Sequence, residues 1–182
     1  YLPTFSSHTI EWNFHRIEGL SEHFIYSNDD MFAIHSLNRE DFFQHGLPRH
    51  CAIQTLAPFR ENGITHIIGR NIEILNANFE KRKSIMRHPL KWFNWRYGKG
   101  ALHNMYFIPF DFFTGFHVEH TSTSLLKSTF EELWNKEFDI IDAACKHKFR
   151  KNADPNQWLI TYWQMAANQF IPKGYKNSKF IS

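Results

Sequence analysis

Acidic side chains follow a short apolar run near the start of the chain. Asn28, Asp29 and Asp30 come directly after residues 24–26, whose Phe-Ile-Tyr sequence is typical of a strand. Adjacent carboxylates at the end of a strand can hold a hard divalent cation, which in turn binds phosphate oxygens. The same residue types also favour a simple turn, because Asn and Asp side chains hydrogen-bond to their own backbone. The tripeptide alone therefore predicts either a metal site or a turn.

A second candidate cluster consists of His8, Glu11 and His15. Spacings of three and four place these side chains on one face if the segment is helical. Such a face could form a metal or acid–base cluster, although the spacing differs from the His-Glu-x-x-His zinc signature. It could equally be a polar helix surface with a Glu–His pair. Arg16 lies beside this face, where its guanidinium could bind phosphate or stay in solvent.

The second half of the chain adds two histidines and an arginine. His117 and His120 follow an apolar segment and could serve as metal ligands, as a base with its helper, or as hydrogen-bonded structural groups. Arg150 ends the basic run 147–150 after a predicted helix. A cation there stabilises the helix dipole, and its planar guanidinium could also bind two phosphate oxygens. The chain contains no Gly-rich phosphate loop and no Rossmann fingerprint.

Hydrophobic spacing predicts the elements that carry these residues. Ile10, Phe14 and Ile17 define the apolar stripe of a helix over 8–18. A strand over 23–27 then brings the acidic tripeptide to its carboxyl end, where open α/β sheets bind ligands. The remaining predictions are helices over 70–83, 88–97, 126–136 and 139–149, a helix capped by Asp154 and opened by Pro155, and extended chain over 101–118.

The composition indicates one globular domain. The 182 residues are 42% hydrophobic and 21% charged, which excludes disordered and fibrous classes. The net charge of +3 is too small to indicate duplex nucleic acid, so no nucleic-acid partner is expected. The two cysteines cannot form a disulfide framework, which fits a cytoplasmic location. Aromatic residues, at 17%, supply ample area for a core or a partner surface.

Three runs near the start of the chain carry a resemblance to a known family. LPTFSSHTIE at 2–11, HRIEGLS at 15–21 and FIYSNDDMF at 24–32 strongly resemble the second signature block of the Stealth family. Residues 116–129, 148–150 and 156–159 resemble its third block, with spacing similar to streptococcal polysaccharide members. Stealth proteins are sugar-1-phosphate transferases, which include bacterial capsular and exopolysaccharide phosphotransferases and the animal N-acetylglucosamine-1-phosphotransferase. The resemblance implies a helix-rich α/β fold, part of a Rossmann-like or GT-A-like nucleotide-sugar transferase, with a small sheet flanked by helices.

The resemblance also implies a reaction and a set of site residues. Hexose-1-phosphate, such as N-acetylhexosamine-1-phosphate, would pass from a nucleotide-sugar donor, UDP-linked, to a hydroxyl of a polysaccharide or oligosaccharide acceptor. Mg²⁺ or Mn²⁺ would be held by Asp29 and Asp30. His117 would act as base or acid, with His15 and Glu11 as alternatives. The substrate-binding residues would be Arg150, Arg16, Asn28, Asn156 and Gln157.

Two other functions and a domain assignment complete the predictions. The chain could be a noncatalytic module that binds glycan or nucleotide, or a hydrolase with zinc on His8, Glu11 and His15. Residues 1–182 are expected to form a single catalytic-region domain, a fragment without the family's N-terminal signature block. Segments outside it could bring the protein to the inner face of the membrane.

Overall fold

The computed structural model describes residues 1–33, 36–57, 64–119 and 121–174 as a mixed α/β structure in which helices predominate. The helices within these residues are α1 (Ser7–Trp12), α2 (Arg39–Phe42), α3 (Ile64–Asn78), α4 (Lys81–Arg87), α5 (Pro89–Trp92), α6 (Gly100–Tyr106), α7 (Lys127–Lys136), α8 (Phe138–Lys146) and α9 (Trp158–Ala166). The strands there are β1 (His23–Tyr26), β2 (Phe43–Gln44), β3 (Leu47–His50), β4 (Thr123–Leu126) and β5 (Ile171–Pro172). None of the helices in the described ranges is long and apolar enough to cross a membrane.

The strands form two small sheets. β1 pairs with β4 in antiparallel register, with His23 opposite Leu126 and Tyr26 opposite Thr123. The second sheet has the order β2-β3-β5, in which β3 and β5 are parallel. The predicted strand over 23–27 is therefore confirmed, but its placement in an open parallel sheet is wrong. One further hydrogen bond extends this antiparallel pairing before the start of β1. The backbone oxygen of Glu22 accepts from the backbone N–H of Lys127 at 2.8 Å.

The core is built largely from aromatic rings around α9. Tyr162 and Trp163 are fully buried in that helix, which packs against α3, α4 and α7. Trp92 stacks on Phe113 with 5.6 Å between the ring centroids and meets Phe170 edge-on. Much of the high aromatic content thus serves the interior, where large rings bury the most apolar area per residue.

The predicted helix over 8–18 is wrong beyond Trp12. The chain turns at Asn13, whose side-chain amide donates to the backbone oxygen of Thr9 at 2.7 Å, and a short 3₁₀ helix follows at Phe14–Arg16. Two of the three residues of the predicted apolar stripe, Ile10 and Ile17, are about half exposed, whereas Phe14 packs against the core. α1 instead buries His8, Thr9, Glu11 and Trp12. Polar side chains therefore face the interior at this end of the molecule.

Other predicted elements differ mainly at their ends. The helices over 126–136 and 139–149 are confirmed as α7 and α8, although α8 stops at Lys146. The segment 70–83 spans the end of α3 and the start of α4, and 88–97 contains α5 and a 3₁₀ turn. The extended prediction for 101–118 is wrong where α6 forms. Asp154 caps no helix, because α9 begins only at Trp158 and the Asp154 carboxylate bonds to His147.

Candidate active site

The buried polar face of α1 meets the end of β1. Glu11 is 5% exposed, and its Oε1 accepts a hydrogen bond from the Tyr26 hydroxyl at 2.8 Å. The same hydroxyl lies 2.5 Å from Oδ1 of Asn28. The second carboxylate oxygen of Glu11, Oε2, is buried without a hydrogen-bond partner in the described parts of the chain. An unsatisfied buried carboxylate oxygen is costly, so a ligand or water that donates to it is expected here.

Arg150 reaches this face from the segment that follows α8. Its Nη2 donates to the hydroxyl of Ser7 at 2.6 Å, although 143 residues separate the two along the chain. The guanidinium charge acts on Glu11, His8 and Tyr26, which shows that all three lie close to it. The guanidinium is exposed, so its remaining donors are available at the mouth of the site.

Burial changes the proton affinities of these groups. The pKa of Glu11 is raised by burial, an effect that the Tyr26 hydrogen bond and the Arg150 charge only partly offset. The pKa of His8 is lowered by burial and by the Arg150 charge. The pKa of Tyr26 is raised by burial and by the neighbouring Glu11. His8 and Tyr26 are therefore neutral near pH 7, and Glu11 binds a proton more readily than an ordinary glutamate.

Asp29 and Asp30 lie on an exposed turn immediately after Asn28. The backbone N–H of Met31 donates to the Asn28 oxygen at 3.3 Å, which closes the turn. The Asp29 charge acts on the Tyr26 hydroxyl, so this carboxylate lies near the Glu11 side of the site. Magnesium is commonly held by one or two carboxylates, with phosphate and water oxygens as the other ligands. Asp29 and Asp30 offer two exposed carboxylates on one turn, the oxygen ligands that such a cation takes.

His15 and Arg16 lie beyond the turn at Asn13 and pack on α7. The His15 ring is 5.8 Å from the Trp134 ring, and the Arg16 guanidinium lies 4.5 Å from the centroid of the same indole. Burial lowers the pKa of His15. The predicted single face of His8, Glu11 and His15 is wrong, and these residues form no metal-binding group in the described structure. The described structure therefore gives no support to a zinc hydrolase built on these three residues.

Asn156 and Gln157 lie between Arg150 and α9. Asn156 is buried, and its Oδ1 accepts a hydrogen bond from the side chain of Asn71 at 2.7 Å. The backbone N–H of Asn156 donates to Oδ1 of Asn71 at 3.1 Å, so the pair ties α3 to the start of α9. Gln157 is half-buried, with its Oε1 unpaired among the described residues. Of the two amides, Gln157 retains an unused acceptor.

His117 lies on the segment between α6 and β4. Its backbone N–H donates to the oxygen of Ile53 at 2.8 Å, next to the bridge between Gln54 and Phe116. The backbone is thus fixed, while the imidazole is exposed. His120, the second histidine of the predicted pair, lies outside the described residues.

Three members of this site were not among the sequence-predicted residues: Tyr26, Ser7 and Asp154. Tyr26 does carry a detectable signal, because a tyrosine that ends a strand directly before polar residues has a hydroxyl in need of a partner. Ser7 and Asp154 are ordinary helix-start residue types. Their role is visible only from their contacts, Ser7 with Arg150 and Asp154 with His147.

The segment that supplies most of this site matches a known family. Residues 1–50 match conserved region 2 of the Stealth proteins, and that region contains Glu11, Tyr26, Asn28 and both aspartates. The chain belongs to the Stealth family. Arg150 lies outside the matched region, so in this Stealth chain it joins the site from the second half of the sequence.

Bacterial relatives of this Stealth chain align with almost all of it. A capsular polysaccharide phosphotransferase of Streptococcus pneumoniae is 40% identical over 182 residues, which is all of this chain and 55% of the relative. An exopolysaccharide phosphotransferase of Lactiplantibacillus plantarum is 38% identical across 94% of the chain and 51% of its own length. A receptor polysaccharide phosphotransferase of Streptococcus gordonii is 36% identical, with 93% and 51% covered. The chain therefore spans about half the length of these relatives.

Proposed function

We propose that this chain forms the main catalytic region of a sugar-1-phosphate transferase for capsular or exopolysaccharide synthesis. The proposal is carried by one observation: Arg150 converges with Glu11 and Tyr26 beside the Asn28–Asp30 turn. An exposed guanidinium, two carboxylates and an unsatisfied buried carboxylate oxygen suit a diphosphate and a hydroxyl as ligands. The names of the bacterial relatives support the same reaction class.

The proposed donor is a nucleotide sugar, and the reacting atom is the phosphorus attached to the sugar. The acceptor oxygen forms a bond to this phosphorus while the bond to the bridging oxygen breaks, which releases a nucleoside monophosphate. Arg150 binds non-bridging phosphate oxygens and offsets their charge as it redistributes. Asp29 and Asp30 would hold Mg²⁺ or Mn²⁺, which supplies charge neutralisation to the diphosphate.

The acceptor hydroxyl must lose its proton during this transfer. We propose that His117 accepts this proton as the general base, because its imidazole is exposed on a fixed backbone segment. Oε2 of Glu11 accepts a hydrogen bond from a substrate hydroxyl, which satisfies an oxygen that otherwise has no partner in the described residues. Gln157 offers a further acceptor to the sugar. Asn156 and Arg16 stay predicted substrate-binding residues, with Asn156 bonded to Asn71 and Arg16 lying over Trp134.

The identity of the released nucleotide tests the proposal. Incubation of the chain with UDP-N-acetylglucosamine, an acceptor oligosaccharide and Mg²⁺ should release UMP, together with a phosphodiester-linked product detected by mass spectrometry. Release of UDP would instead indicate transfer of the sugar alone. Donor binding without turnover, measured by calorimetry, would favour the noncatalytic module.

Asp29→Asn and Asp30→Asn should each lower transfer at least a hundredfold at limiting Mg²⁺. Each change removes one anionic ligand from an exposed turn, so the midpoint of thermal unfolding should stay near the wild-type value. Rates measured across a Mg²⁺ titration should show a higher metal requirement in both variants. Asp139→Asn, an exposed carboxylate in the first turn of α8, is the control and should titrate like wild type. Unchanged titrations in both turn variants would remove the metal assignment.

Arg150→Lys should impair transfer nearly as much as Arg150→Ala. A lysine keeps the positive charge but loses the planar fork that can contact Ser7 and a phosphate together. The measurement is kcat/KM for the donor, with an expected loss on the order of a hundredfold in both variants. Lys151→Ala removes the neighbouring exposed cation and should have little effect. Recovery of most activity in Arg150→Lys would show that Arg150 contributes only charge.

A further inference from the structure

The segment that carries Arg150 is closed at its base by a pair of side chains. Nδ1 of His147 lies 2.9 Å from both carboxylate oxygens of Asp154. These two residues bracket 147–154, the segment between the end of α8 and the approach to α9. Asp154 is 4% exposed, whereas Arg150, midway along the segment, is exposed. A buried carboxylate thus anchors a surface loop whose tip reaches the site.

Further contacts of Asp154 shape the second half of this loop. Its carboxylate accepts from the backbone N–H of Lys151 at 3.3 Å, and its own N–H donates to the Lys151 oxygen at 3.1 Å. The side chain therefore closes a turn at 151–154 and joins that turn to the end of α8 through His147. A carboxylate that accepts several hydrogen bonds holds its partners in one geometry more strongly than a neutral acceptor does.

The first half of the loop is attached to the N-terminal segment. The backbone N–H of Phe5 donates to the oxygen of Lys148 at 2.9 Å, and the Phe5 ring stacks on Phe149 with 5.4 Å between centroids. Both rings are largely exposed, so this stacking excludes little water. The His147–Asp154 pair is consequently the main buried restraint on the loop.

We propose that His147 and Asp154 are positioning residues that hold Arg150 beside Ser7 before the donor binds. A loop that is already ordered loses less conformational entropy when it binds phosphate, so its affinity is higher. The catalytic meaning of this restraint rests on the proposed function, whereas the restraint itself does not. Loss of the pair should therefore raise the KM for the donor while kcat changes much less.

Limited trypsin digestion of the whole chain tests the restraint without any activity assay. Lys148, Arg150 and Lys151 are exposed cleavage sites inside the loop, and proteolysis follows the population of the open form. His147→Ala should accelerate cleavage after these residues about tenfold, as measured by peptide mass spectrometry, with little change in the midpoint of thermal unfolding. His147→Asn keeps an N–H donor at the position of Nδ1 and should restore slow cleavage.

A matched control comes from the end of α8. Asp142→Asn removes the acidic partner of Lys146, an ion pair one turn before the loop, and should leave loop cleavage unchanged. Equal cleavage rates in wild type, His147→Ala and His147→Asn would overturn the proposal. So would acceleration by Asp142→Asn equal to that of His147→Ala, since any change near the end of α8 would then suffice.

Donor kinetics then link the restraint to Arg150. If wild type transfers sugar phosphate, His147→Ala should raise the donor KM about tenfold, and His147→Asn should recover most of the loss. An equal fall in kcat with unchanged KM would contradict a positioning role. If wild type shows no transfer, binding of pyrophosphate by calorimetry replaces KM. In that case the proposed function fails while the tenfold difference in affinity still decides whether the pair positions Arg150.

Discussion

Glu11→Gln should abolish most sugar-phosphate transfer and leave the protein at least as stable as wild type at pH 7. Glutamine preserves the shape of the side chain and an oxygen that can accept from the Tyr26 hydroxyl, but it removes the negative charge. The loss of this charge deprives a substrate hydroxyl of a strong acceptor and alters the field around Arg150. A hydrogen bond to a charged acceptor contributes about 1.5–3 kcal/mol, so its loss should lower kcat/KM about 10- to 100-fold.

The expected gain in stability follows from the raised pKa of Glu11. Burial makes the carboxylate form unfavourable in the folded state, so folding favours the protonated form. A group whose pKa is higher in the folded state contributes stability below its unfolded pKa and loses that contribution as pH rises through the folded value. Wild type therefore loses stability through Glu11 as the pH rises above the ordinary glutamate pKa, and Glu11→Gln does not.

Thermal unfolding at several pH values measures this difference. The unfolding midpoint of Glu11→Gln should equal or exceed that of wild type at pH 7, and the difference should shrink toward the ordinary glutamate pKa of 4.5. Glu18→Gln, an exposed glutamate beyond the 3₁₀ turn, is the control and should change neither rate nor midpoint. A Glu11→Gln variant with near-normal transfer would show that Glu11 is a structural group.

His117→Ala should lower kcat about 10²–10⁴-fold while donor binding stays close to wild type. The imidazole is exposed, and the backbone contact with Ile53 does not depend on the side chain. The midpoint of thermal unfolding checks that the variant is folded. Donor binding by calorimetry and kcat by UMP release separate the two effects. His103→Ala, an exposed histidine on α6, is the matched control and should behave like wild type.

The two substitutions together identify the base for the acceptor hydroxyl. Large losses in both variants, with donor binding retained only in His117→Ala, agree with a proton that passes to His117 and a substrate hydroxyl held by Glu11. If His117→Ala transfers sugar phosphate at a near-normal rate while Glu11→Gln is inactive, Glu11 is the base. His15→Ala would then separate Glu11 from His15, the other predicted base.

The sequence by itself determined the family, the acidic turn and several elements. The runs between Leu2 and Phe32 are long and specific, and they place Glu11, Asn28 and the two aspartates in one conserved region. The strand before Asn28 and the helices α7 and α8 were also predictable, because alternation and helical spacing are local properties of the chain. A turn after β1 follows from residue type alone.

Only the tertiary structure decided which face of α1 is buried and what it meets. Local spacing favoured the side with Ile10, but Trp12 donates to the Pro155 oxygen and accepts from Trp134, which turns the His8–Glu11 side inward. Contacts with residues more than 100 positions away outweigh local periodicity here. Burying the large indole of Trp12 stabilises the fold more than burying the side chain of Ile10 would. The same long-range packing brought Arg150 to Ser7. It also paired the Asp154 carboxylate with His147, whereas the sequence predicted that Asp154 caps a helix. No spacing rule could predict these contacts, because the two halves of the site are joined only when the chain folds.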